Sequence, residues 1–113
     1  MLIKFTIRDN DPISKEVMRD LASGFEGFRY CEEVSEADLV ILDPETKDLS
    51  SFSISPETQI IIVSANEEHI RKVFNKGITD YIKKPLNDPQ RFLNGLQKVT
   101  DSWSERSISL SKS

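Results

Sequence analysis

Two short apolar runs constrain this chain more than any other feature: Leu39-Val40-Ile41-Leu42 and Ile60-Ile61-Ile62-Val63. A strand with one wet face alternates apolar and polar residues. A strand with no polar position must be covered on both faces. Both runs stop abruptly, the first at Asp43-Pro44 and the second at Ser64-Ala65-Asn66. Strands of this kind form the interior of a parallel sheet layered with helices.

The remaining segments supply the other pieces. Residues 1–7 read as a strand carrying Leu2, Ile3, Phe5 and Ile7, residues 28–34 as a weaker strand, and residues 78–82 as a fifth. Asp11 is placed to cap a helix that begins at Pro12, where the missing N–H costs nothing. Ile13, Val17, Met18, Leu21 and Ala22 recur at helical spacing up to Ser23. Asn66 can cap a second helix over residues 66–76, with Glu67 and Glu68 in its first turn and Ile70, Val73 and Phe74 on its apolar face. Asn87 or Asp88 caps a last helix with Pro89 at its first position, and Phe92, Leu96, Val99 and Trp103 form one stripe along it. The expected organisation is one domain over residues 1–103 and a flexible tail over 104–113, where serine fills five positions.

Composition narrows the functional classes. The net charge of −4 argues against nucleic-acid binding, which draws its affinity from clustered Lys and Arg. The one cysteine, Cys31, has no internal disulfide partner, as expected of a reducing compartment. No apolar run approaches the ~20 residues that span a bilayer, and no signal peptide precedes the first strand, so a soluble cytoplasmic domain is expected.

In a parallel sheet the ligand site lies beyond the carboxyl ends of the strands. The ends here carry Asp9, Asn10 and Asp11 after the first strand, Asp43 after the third, Ser64 after the fourth, and Lys83-Lys84-Pro85 after the fifth. Oxygen ligands without clustered His or Cys suit a hard cation such as Mg²⁺. A carboxylate can also act as a nucleophile toward phosphorus, with a metal, a lysine and a hydroxyl neutralising the phosphoryl oxygens.

These motifs, taken in order, resemble a response-regulator receiver domain, the phospho-acceptor half of two-component signalling. "RDNDP" is similar to the acidic cluster after the first strand, and "DLVILD" to the third strand with its phospho-acceptor. "IIIVSA" is similar to the fourth strand with its switch hydroxyl, and "GITDYIKKPL" to the fifth-strand signature. The resemblance implies a flavodoxin-like α/β fold, a doubly wound parallel five-stranded sheet. It implies Asp43 as phospho-acceptor, Ser64 and Lys84 as phosphoryl ligands, and Tyr81 as the switch aromatic. It implies Mg²⁺ held by Asp9, Asn10, Asp43 and the backbone carbonyl of Glu45, and a cis peptide before Pro85. A histidine kinase or phosphotransfer protein is the implied partner. Such a domain is not an enzyme beyond its own phosphotransfer and dephosphorylation.

The sequence departs from that pattern in two places. Asn10 stands where the family has a second acid; one neutral carbonyl oxygen replaces a charge, so metal binding should weaken. The middle of the chain is also short. Only Ser35, Glu36 and Ala37 separate the second and third strands, where a parallel connection normally needs a dozen or more residues. The second strand is then either reached differently or not a parallel neighbour. Residues 44–58, with Leu49, Phe52 and Ile54 at irregular spacing, show no helical pattern either. The second and third helices are therefore expected to be reduced or missing. The uncovered sheet face is expected to take either the loop bearing those residues or a second subunit, giving a homodimer. The alternative function is a degenerate receiver, used for dimerisation or docking without phosphorylation. A small flavodoxin-like enzyme is disfavoured, because no phosphate-cradling glycine loop is present.

Overall fold

The computed structural model describes residues 2–45, 54–66 and 78–111, with side chains as far as Trp103. Five strands form one parallel sheet: β1 (Ile3–Arg8), β2 (Phe28–Tyr30), β3 (Leu39–Leu42), β4 (Gln59–Ser64) and β5 (Asp80–Lys83). Their spatial order is β2-β1-β3-β4-β5. Two helices are described, α1 (Pro12–Ser23) and α2 (Pro89–Ser111).

The two apolar runs behave as doubly buried strands. Leu39, Ile41, Ile61 and Val63 pack toward the helices, with Phe5, Met18, Phe92 and Leu96. Val40, Leu42, Ile60 and Ile62 pack on the other face with Val34 and Ala37. On that second face Ile54 does pack against the sheet, while Leu49 and Phe52 lie outside the described residues. Those four strand residues are at most 1% exposed within a single chain.

The connection from β2 to β3 shows why a helix can be dispensed with. It holds only a single 3₁₀ turn, Val34–Glu36. Yet β2 is a parallel neighbour of β1, which excludes the reading that it pairs otherwise. The register supplies the reason. Tyr30 ends β2 opposite Phe5, and Leu39 starts β3 opposite the same Phe5 on its other side. The chain need not travel back along the sheet. It has only to cross β1, roughly 10 Å at two strand spacings, well within reach of residues 31–38. The crossing is pinned to β1 at both ends: Cys31 N–H donates to Phe5 O (2.8 Å) and Asp38 N–H to Lys4 O (2.8 Å). Arg8 Nη2 donates to Glu32 O between them (2.7 Å).

Three other boundaries differ from the sequence expectation. Strand β2 ends at Tyr30 rather than at 34, because the chain then turns over β1. On α1, Met18 and Ala22 are buried but Ile13 is 74% exposed and Val17 39%. At about 100° per residue the Ile13–Val17 line is rotated away from the Met18–Ala22 line, so one helix cannot bury both on one sheet. Finally, α2 continues to Ser111, through most of the segment expected to be a flexible tail. No Gly or Pro follows Gly95 to stop it, and Ser, Glu, Arg and Lys are tolerated on a helix surface. The helix expected over residues 66–76 falls almost entirely outside the described residues.

Candidate functional site

Strand alternation aims the first acids. Ile3, Phe5 and Ile7 face the helices, and Asp9 is the next residue of the same parity; Asp43 follows Leu39 and Ile41 in the same way. Asp43 N–H donates to Arg8 O (2.9 Å), which extends the β1–β3 ladder one step past the strands and keeps the two acids side by side.

Lys84 joins them. Its Nζ lies 2.6 Å from Asp43 Oδ2 and 2.8 Å from Asp9 Oδ2. The first contact is a hydrogen bond. The second is an ion pair to the buried Asp9 Oδ2. Burial alone would lower the Lys84 pKa; the close contacts with the Asp43 and Asp9 carboxylates and their charges outweigh it, and the ammonium is held above its ordinary value. The peptide between Lys84 and Pro85 is cis.

The other oxygens are held locally. Asp43 Oδ1 accepts from Glu45 N–H (2.9 Å) and Asp9 Oδ1 from Asp11 N–H (2.9 Å). Asp11 caps α1, accepting from Ile13 N–H (3.1 Å) and Ser14 Oγ (2.7 Å). Those bonds lower its pKa, the Ser14 hydroxyl first. Asn10, between the two, is exposed.

Ser64 is fully buried at the end of β4 and borders the cluster, because its carbonyl accepts from Lys84 N–H (3.0 Å). Its hydroxyl is engaged elsewhere: it donates to Asn66 O (3.3 Å) and accepts from Asn66 N–H (3.1 Å). Tyr81 is 47% exposed on β5. The structure thus brings together Asp9, Asp43 and Lys84, sets Ser64 and Glu45 beside them, and leaves Asn10 and Tyr81 outside.

The donor set suits a divalent ion held partly by water. Asp9 offers a buried carboxylate oxygen paired with the Lys84 ammonium, and Asp43 lies across the same ammonium. Mg²⁺ needs only one or two carboxylates alongside water and phosphate oxygens. Among the described residues no cluster of three acidic, His or Cys ligands forms.

The arrangement has close structural relatives. The response regulatory domain of mrkE from Klebsiella pneumoniae superposes with a TM-score of 0.73, at 20% identity, over 91% of this chain and 99% of that one. The fold is that of a response-regulator receiver domain. The receiver domain of the putative regulator NarL from Mycobacterium tuberculosis superposes at 0.64, with 10% identity over 88% and 97% of the two chains. The transcriptional regulatory protein BtsR of Salmonella typhi is 25% identical over 127 aligned positions, covering 96% of this chain. The chain spans about half the length of that relative. No sequence-family profile matches it.

One cluster of this receiver fold escaped the sequence reading. Asp80, at the start of β5, is buried and pairs with Arg91 (2.6 and 3.0 Å) and Lys98 (3.1 Å) on α2. Burial would raise its pKa, but the Arg91 and Lys98 bonds prevail and lower it. The signal was present: an acid inside an apolar strand, and two cations seven residues apart on one helix face.

Proposed function

We propose that this chain is the phospho-acceptor receiver of a two-component system, taking a phosphoryl group on Asp43 from a histidine kinase or phosphotransfer protein. One observation carries the reading: the Lys84 ammonium spans the Asp9 and Asp43 carboxylates at the carboxyl edge of a parallel sheet. An Asp43 oxygen attacks the phosphorus of a phosphohistidine. The P–N bond breaks, the imidazole nitrogen takes up a proton, and an acyl phosphate forms. The Lys84 ammonium, still protonated, then exchanges the Asp43 carboxylate for a phosphoryl oxygen as its partner, remaining beside Asp9. The Ser64 hydroxyl exchanges Asn66 for a second phosphoryl oxygen. Tyr81, exposed three residues before Lys84, would register that exchange on the surface. Asp9, Asp43 and the Glu45 carbonyl would hold Mg²⁺, with Asn10 as a weak fourth ligand; when bound, the ion neutralises phosphoryl charge.

A second reading, a docking module that is not phosphorylated, is favoured by one observation: Asn10 is exposed and contributes no charge to the site. Titration with beryllofluoride and Mg²⁺, followed by amide NMR, separates the two. Saturable shifts around Asp43 that Asp43→Asn abolishes support phosphotransfer. A silent spectrum at millimolar metal favours the docking module.

A further inference from the structure

Among the described residues, strand β5 ends the sheet and has no neighbouring strand on its outer side. Lys84 N–H points inward to Ser64 O. In a parallel ladder alternate residues face the same neighbour, so Asp80 and Ile82 also turn inward, and Tyr81 and Lys83 turn their backbone groups to the free edge. An exposed row of such groups is a template for another chain.

At Tyr81 both groups are taken. Its N–H donates to Asp80 Oδ1 (2.9 Å), and its carbonyl accepts from Arg91 Nη2 (2.6 Å). Arg91 also grips both oxygens of Asp80. The pair therefore bridges helix, strand and edge at once. Gly95 permits the close approach: a Cβ there would meet Asp80 Oδ2 at 3.0 Å and Ile82 Cδ1 at 3.3 Å. Lys98 differs in one respect, since it reaches Asp80 alone and leaves the Tyr81 backbone untouched.

We infer that the Asp80–Arg91 pair guards the β5 edge against strand addition by a second copy of this chain. A second β5 approaching the edge would need the Tyr81 carbonyl and amide that the pair already holds. Lys83, exposed at the next outward position, adds like-charge repulsion between copies. With Arg91 lost, the carbonyl is released and the edge becomes a pairing site.

The test uses the full chain with Cys31→Ser and Lys83→Cys, which leaves one thiol on the β5 edge. Disulfide-linked dimer is measured at increasing protein concentration, with folding checked by circular dichroism. Adding Arg91→Ala is expected to raise the dimer yield about tenfold, the factor associated with freeing one charge-assisted hydrogen bond. Arg91→Lys retains a cation for Asp80 but loses the two-pronged reach, and should give an increase of the same sign; it decides the matter if Arg91→Ala does not fold. Lys98→Ala should leave the yield unchanged. No increase in either Arg91 variant overturns the inference. So does an equal increase with Lys98→Ala, which would trace the effect to lost charge rather than to the edge.

Discussion

Strand β5 carries an ion cluster at each of its ends, and the two are built with opposite charge ratios. At the carboxyl end one cation, Lys84, serves two acids. At the amino end one acid, Asp80, is served by two cations and a backbone N–H. The second arrangement is saturated and holds α2 on the sheet. The first leaves two carboxylates to share one ammonium. Ion pairs at similar distances, at the two ends of one strand, thus differ in their balance of charge.

Four experiments probe that contrast. Removing the single cation should have the largest effect: Lys84→Met leaves two adjacent carboxylates uncompensated and should cost about 3 kcal/mol in urea unfolding. A loss smaller than about 1 kcal/mol would show that the two acids are already solvated. Asp80→Asn should cost less, about 2 kcal/mol, because Arg91 and Lys98 are half exposed and can turn to water. By contrast, Asp9→Asn removes one of two like charges and should change stability by less than about 1 kcal/mol, with Mg²⁺ affinity falling in a Trp103 fluorescence titration.

The smallest effect is a matter of pH. The Asp80 carboxyl is held below its ordinary 3.8, so its contribution is present above that pH and is lost as pH falls through the lowered folded value. Melting temperatures from pH 5 to pH 2 should therefore fall more steeply in the parent than in Asp80→Asn. At the other end the sign reverses. Lys84 is held above 10.5, so its contribution is present below that pH and fades as pH rises through the raised value. Parallel acid limbs in parent and Asp80→Asn would remove Asp80 as the distinguishing residue.

Relatedness to known proteins has a similar division. The superposition on the mrkE domain establishes the fold, while its 20% identity leaves the chemistry to be argued from this chain's residues. The exposed Asn10 is the position on which that argument is most easily sharpened. Asn10→Asp should raise Mg²⁺ affinity about tenfold if its carboxylate reaches the ion, since affinity at such sites follows ligand charge. Unchanged affinity would leave Asp9 and Asp43 as the only acids that matter.

Much of this was legible in order along the chain. The unbroken apolar runs require two covered sheet faces, and they receive them. Asp11-Pro12 starts α1 and Asp88-Pro89 starts α2, the latter with Gln90 N–H donating to Asp88 Oδ1 (3.1 Å). The stripe Phe92, Leu96 and Val99 is fully buried. These are outcomes of short-range pattern: capping, periodicity and turn chemistry act within one or two helical turns.

What the tertiary structure alone decided depends on strand register and on partners distant in sequence. That Tyr30 and Leu39 flank the same Phe5, which lets residues 31–38 replace a helix, is set by how far β2 slides along β1. That Ile13 and Val17 stay in water follows from which line of α1 faces the sheet. That Lys84 reaches two acids at once, and Arg91 both an acid and an edge carbonyl, follows from the closure of strand tips and helix onto one another. Periodicity states which residues must be buried; only packing states what each charged side chain meets.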